Sequence, residues 1–137
     1  MTQAQIYRAA TTKPLADYVA ALDAAATRRG FSIHNRAHMA MAEMYQAQNL
    51  PMPADFDLHM VQVCKPEKSS LSFRANIERA PLMPKFIMVF SKDGATQVRF
   101  LAYRKELIAA LVPGDAQFPE SLVQTYAVIR EMIDEAL

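Results

Sequence analysis

The chain alternates between two kinds of hydrophobic spacing. A stripe at positions 15, 18, 19 and 22 (Leu15, Tyr18, Val19, Leu22) has the three-to-four-residue period of an amphipathic helix. Pro14 is pre-set for the first turn of that helix, with Thr12 or Lys13 at its entry. Asp17 suits the positive end of the helix dipole, Arg28 and Arg29 the negative end, and Gly30 can adopt the left-handed stop. The stretch "FDLHMVQVCK" (56–65) has the two-residue period of a strand instead. Phe56, Leu58, Met60, Gln62 and Cys64 fall on one face, and Asp57, His59, Val61 and Val63 on the other. "KFIMVFSKDGATQVRFLAYR" predicts a hairpin, because two β-rich runs flank the turn pair Asp93-Gly94. The closing "FPESLVQTYAVIREMIDEAL" predicts a long helix with Leu122, Tyr126, Ile129 and Ile133 on one stripe.

The remaining segments fill in around these four. "IYRAAT" (6–11) is β-compatible, and "FSIHNR" (31–36) predicts a second strand. "AHMAMAEMYQAQN" (37–49) is rich in helix formers and ends in the breaker cluster "NLPMPAD". Pro66 closes the central strand and can open a helix, "PEKSSLSFRANIE". "APLMP" is an irregular connector, and "KELIAALV" is a short helix stopped by Pro113-Gly114. The order is strand, helix, strand, helix, strand, helix, two hairpin strands and terminal helices. That order predicts an α+β fold, a mixed or mostly antiparallel sheet with helices packed on one face. The other face is then left for a ligand or for another subunit.

Composition narrows the function classes. A chain of 137 residues suits one domain spanning 1–137, and three glycines and eight prolines leave no long flexible linker. The net charge of +1 lacks the basic excess of a general nucleic-acid binder, so no nucleic-acid partner is expected. No apolar run approaches the roughly 20 residues that cross a bilayer, and "MTQAQIYRAATTKP" lacks a signal-peptide core. A cytoplasmic protein without a membrane partner is the expectation. The single cysteine, Cys64, rules out an intramolecular disulfide.

Several of these stretches together resemble a bacterial family, domain of unknown function 302. The likeness runs from about Ile6 to the last helix. It is carried by "KPLADYVAALDAA" leading into "GFSI", by the central strand running into "CKPEKSS", and by "APLMPKFIMVFSKDG" entering the hairpin. The family often has Asn where this chain has Lys65, and many members have a second cysteine where Lys85 stands. Two-cysteine chemistry therefore does not carry over. The resemblance implies a compact α+β domain related to the TATA-binding-protein fold, in a β-α-β-β-β-β-α arrangement, and a homodimer. It implies no reaction and no cofactor.

Three places could carry chemistry. Cys64 precedes Lys65 and the expected start of a helix, and both an ammonium and a helix N-terminus favour the reactive thiolate. It is the candidate nucleophile or redox centre; His59 lies on the opposite strand face, so His34 or His38 could approach only through the fold. Its bland alternative is a small apolar residue on a strand face. The segment 65–85 holds Lys65, Lys68, Arg74, Arg79 and Lys85 against Glu67 and Glu78. Backbone N–H groups at the helix start, with Lys65, Lys68, Ser69, Ser70 and Lys85, make a candidate site for a small anionic ligand. The alternative is a solvated helix face. Finally, "HMAMAEMY" (38–45) combines imidazole with thioethers, which suit soft metals such as Cu(I). On a helix its sulfurs diverge, so core packing through Met41, Met44 and Tyr45 is the expectation and no metal site is assigned. The sequence thus supports a small-molecule binding or interaction domain, with a Cys64 thiol enzyme or sensor and a Met/His metal carrier as alternatives. It leaves open whether the chain catalyses anything.

Overall fold

A computed structural model describes residues 2–137. Five strands, β1 (Ala4–Thr11), β2 (Ser32–Ile33), β3 (Leu58–Cys64), β4 (Lys85–Lys92) and β5 (Ala95–Tyr103), form one sheet in the order β1-β5-β4-β3-β2. Every neighbouring pair is antiparallel. The β4–β5 hairpin closes through Asp93 (φ 54°) and Gly94 (φ 73°). Two successive positive φ values give the turn a twist that matches the strands it joins.

Alternation then sorts the sheet. Val61, Val63, Ile87, Val89, Val98 and Phe100 point to one face and are buried. The helices α1 (Leu15–Arg28) and α5 (Phe118–Ala136) lie together on that face. Their buried stripes contain all the apolar positions expected from the helical period, Leu15, Tyr18, Val19 and Leu22 on one and Leu122, Tyr126, Ile129 and Ile133 on the other. The Tyr18 hydroxyl, sealed in this layer, donates to the Ile133 carbonyl at 2.9 Å, so its burial leaves no polar atom unpaired. The helix α1 ends as expected at Gly30 (φ 78°), where the Gly30 and Phe31 N–H groups donate back to Thr27 and Ala26. Arg28 and Arg29 then reach Glu135 on α5.

Two segments depart from expectation. The strand over 31–36 shrinks to Ser32–Ile33. Asn35 replaces the ladder with its side chain, donating to the Met60 carbonyl at 2.7 Å and accepting from the Gln62 N–H at 2.9 Å. The chain then turns into a short 3-10 helix, Arg36–His38. The helix expected over 37–49 is correspondingly broken: Ala40 is extended and bridges to His59, and α2 covers only Met41–Ala47. In "HMAMAEMY" it is Met39 that packs on the core, whereas Met44 is exposed and Tyr45 stacks obliquely on Phe56. His38 is exposed.

The helix α3 (Pro66–Ala75) follows β3 directly. Asn76 is extended and accepts the Glu78 N–H through its side chain, which starts a 3-10 segment, Ile77–Leu82, over the end of the helix expected to run to Glu78 and the start of the connector expected over 80–84. The helix α4 (Lys105–Leu111) precedes α5. Among the described residues no helix is long and apolar enough to cross a membrane. Between the helix layer and the tip where β3 ends and β4 begins, α3 and the 3-10 segment enclose the cavity that concerns function.

Candidate functional site

The cavity has a volume of about 390 Å³. Phe31, Val63, Phe73, Phe118 and Leu122 supply its apolar lining. Cys64, Lys65, Lys68, Ser69 and Lys85 all line it too, so the fold gathers five of the six residues picked out by spacing. Ser70 does not join them. It is exposed, and its hydroxyl donates to the Glu67 carbonyl one turn back. No aspartate or glutamate lines this cavity. None of its three lysines forms an ion pair with any described residue.

Each lysine is instead held by neutral groups. Lys68 reaches across from α3 to α5, donating to Thr125 Oγ1 at 2.6 Å and more weakly to the Ser121 carbonyl at 3.4 Å. Desolvation, followed by the charge of Lys65, lowers its pKa. Lys65 holds its ammonium 5.9 Å from the centroid of the Phe31 ring, within cation–π range. Lys85 is the first residue of β4 and shares the side of the strand with Ile87 and Val89, the core side. Its Nζ donates to the Met83 carbonyl at 2.7 Å. Desolvation pushes its pKa down to about 8; the nearby Cys64 opposes this and the nearby Lys68 adds to it.

Cys64 is partly exposed, and its Sγ lies 3.5 Å from the Ser69 hydroxyl, with either atom able to donate. His34 lines the same cavity, but His38 and His59 do not. His59 keeps to the other side of β3, as its strand position requires, 3.7 Å from Asp57.

Two expectations about the basic segment are corrected. The start of α3 offers little free backbone N–H: Pro66 has none, and the Lys68 and Ser69 N–H groups already donate to the Lys65 carbonyl. Arg79 is not a free cation. It is buried, clasping Asp115 with Nε at 2.6 Å and a terminal nitrogen at 2.9 Å, and it lies 4.9 Å from the centroid of the Phe118 ring. The Arg79 bonds above all, with further bonds from Asn76 and the Phe118 N–H, hold the Asp115 carboxyl far below the usual carboxylate range. This clasp ties the 3-10 segment to the start of α5, two walls of the cavity. Sequence spacing alone did not single out Ser121 and Thr125, because they meet the cavity through Lys68, more than fifty residues earlier in the chain.

Among the described residues no group of three His, Cys, Asp or Glu side chains is placed to hold a metal ion.

Comparison with known proteins agrees with this architecture. A crystal structure of an uncharacterized conserved DUF302 protein from Bacillus stearothermophilus superposes with a TM-score of 0.79, covering 96% of this chain and 98% of that one at 14% identity. Such a likeness speaks to the fold. No curated protein matches. The family model described as domain of unknown function DUF302 matches residues 7–136, and the chain belongs to that family.

Proposed function

We propose that this domain binds a small anionic molecule in the cavity between α3, the 3-10 segment and α5. One observation carries the reading: three lysines and no carboxylate share a space of about 390 Å³. Ammonium groups that lose water without gaining a counter-charge cost stability, and a bound anion offsets that cost. The volume falls in the range of small-molecule pockets, and the apolar lining with a few converging polar groups has their usual make-up. In this reading Lys65, Lys68 and Lys85 attract the anion, and the Ser69 hydroxyl donates to it. A screen of small inorganic and carboxylate anions by thermal shift tests this. Some anions should raise the melting temperature of the native chain, and the double variant K65A/K68A should lose the effect. Stabilisation that survives the double substitution would place the ligand elsewhere.

Cys64 lines the same cavity, which keeps a thiol-based role in view. Its one side-chain partner is the Ser69 hydroxyl rather than an imidazole base, so the binding reading is favoured. Iodoacetamide labelling no faster than that of free glutathione would dispose of the thiol role.

We also propose a homodimer through the sheet face opposite the helices. That face pairs Ile6 with Leu101, Leu58 with Phe90 and Met60 with Met88 across neighbouring strands. Ile6 and Leu101 are 44% and 48% exposed, and a second copy would cover them. Sedimentation equilibrium reads the mass directly: the native chain should run as a dimer and L101E as a monomer.

A further inference from the structure

Deepening and resting on the anion-binding reading, we propose that Lys85 forms an imine with the carbonyl carbon of a bound 2-oxo carboxylic acid that carries an apolar substituent. Three features of the cavity point to this chemistry. The amine of Lys85 faces no acidic group, since the charged or titratable residues that share the cavity with it are Cys64, Lys65, Lys68 and His34. Its single hydrogen bond, to the Met83 carbonyl, uses one N–H and leaves the nitrogen lone pair of the neutral amine free. The neighbouring groups match the rest of such a molecule. Lys68 lies close enough to weaken the ammonium form of Lys85 and can hold a carboxylate adjacent to the reacting carbon. Phe31, Phe73 and Phe118 can surround an apolar or aromatic substituent.

The step balances without a co-reactant. The neutral Nζ attacks the carbonyl carbon to give a carbinolamine. Its C–O bond then breaks, the oxygen leaves as water with the two protons lost by nitrogen, and a C=N bond remains. A lysine desolvated beside another cation is activated for this chemistry because more of it is neutral near pH 7. With a pKa of about 8, its neutral fraction at pH 7 is roughly 300-fold that of an ordinary lysine.

Phenylpyruvate with sodium cyanoborohydride is the test, with phenyllactate as a twin that lacks the ketone. Incubation at pH 7 followed by peptide mass mapping should find one reduced adduct, on Lys85. Excess phenyllactate should suppress it. Cyanoborohydride fixes imines and not thiohemiketals, so an adduct made through Cys64 does not register. K85R should take no adduct at that position; should it fail to fold, suppression by phenyllactate in the native chain provides the same discrimination. Stabilisation by phenyllactate without an adduct overturns the imine and leaves the anion reading standing. Absence of both overturns the two together. Adducts spread evenly over the lysines, or unaffected by phenyllactate, also overturn the imine.

Discussion

Replacing Lys85 with methionine should make the protein more stable at pH 7, although it removes a hydrogen bond. The side chain occupies a position on the core side of β4, and its pKa falls from the ordinary 10.5 to about 8. A drop of that size corresponds to about 3 kcal/mol by which the folded state disfavours the ammonium. The bond to the Met83 carbonyl offsets about 1 kcal/mol of this. Methionine is unbranched and of similar length, so Lys85→Met should fill the same space and gain about 2 kcal/mol. The sign follows from proton uptake. Below about pH 8 both folded and unfolded chains keep Lys85 protonated, and the native protein carries the whole cost. Between about 8 and 10.5 the folded chain has released the proton that the unfolded chain still holds, so stability rises with pH and the gap between the two proteins narrows. Urea denaturation followed by circular dichroism at pH 7 and near pH 9.5 measures both terms. A variant less stable than the native chain at pH 7, or a gap that does not narrow at the higher pH, would refute the reasoning.

Two further substitutions test the walls of the cavity. D115N keeps the size of the side chain but presents an amide N–H₂ to donors on Arg79 or Asn76, leaving a buried guanidinium unpaired; the expected loss is about 3–5 kcal/mol in urea denaturation. Because the folded-state pKa of Asp115 is depressed, its contribution is fully present above the unfolded value near 4 and fades as pH falls through the folded value, so the gap between D115N and the native chain should shrink in acid. G30A should lose roughly 1–2 kcal/mol, since Gly30 sits at φ 78°. The added Cβ would also lie 3.3 Å from Lys65 Cε, so any anion-induced thermal shift should weaken in the same variant.

Much of the fold was legible because it rests on local rules. The stripes of α1 and α5, the Asp93-Gly94 turn and the Gly30 stop each depend on a few adjacent residues, and each lies where its spacing puts it. The misread segments are those where a side chain stands in for backbone. Asn35 ends β2 after two residues by bonding to β3 itself, and nothing in "FSIHNR" distinguishes that from a longer strand. The cavity was legible only in part for a similar reason. Lys65, Lys68 and Ser69 follow Cys64 in the chain, so proximity along the sequence found them, but it also drew in Ser70 and Arg79, which point elsewhere.

Lys85 shows what a closer use of alternation would have added. It stands two residues before Ile87 and four before Val89, so the strand period alone puts a lysine on the face that those residues bury. A charge in that position is costly unless it is paired, yet no aspartate or glutamate lines its cavity and Lys68 adds to the cost. Such an arrangement lowers the stability of the domain in the absence of a ligand, as the gain expected for Lys85→Met states in numbers. Packing alone would favour an apolar residue there. The cost is offset once an anion enters, and if that anion carries a carbonyl carbon, the same desolvation leaves Lys85 with a nucleophilic amine. Binding and reactivity would then share one cause, the burial of an amine without a carboxylate partner.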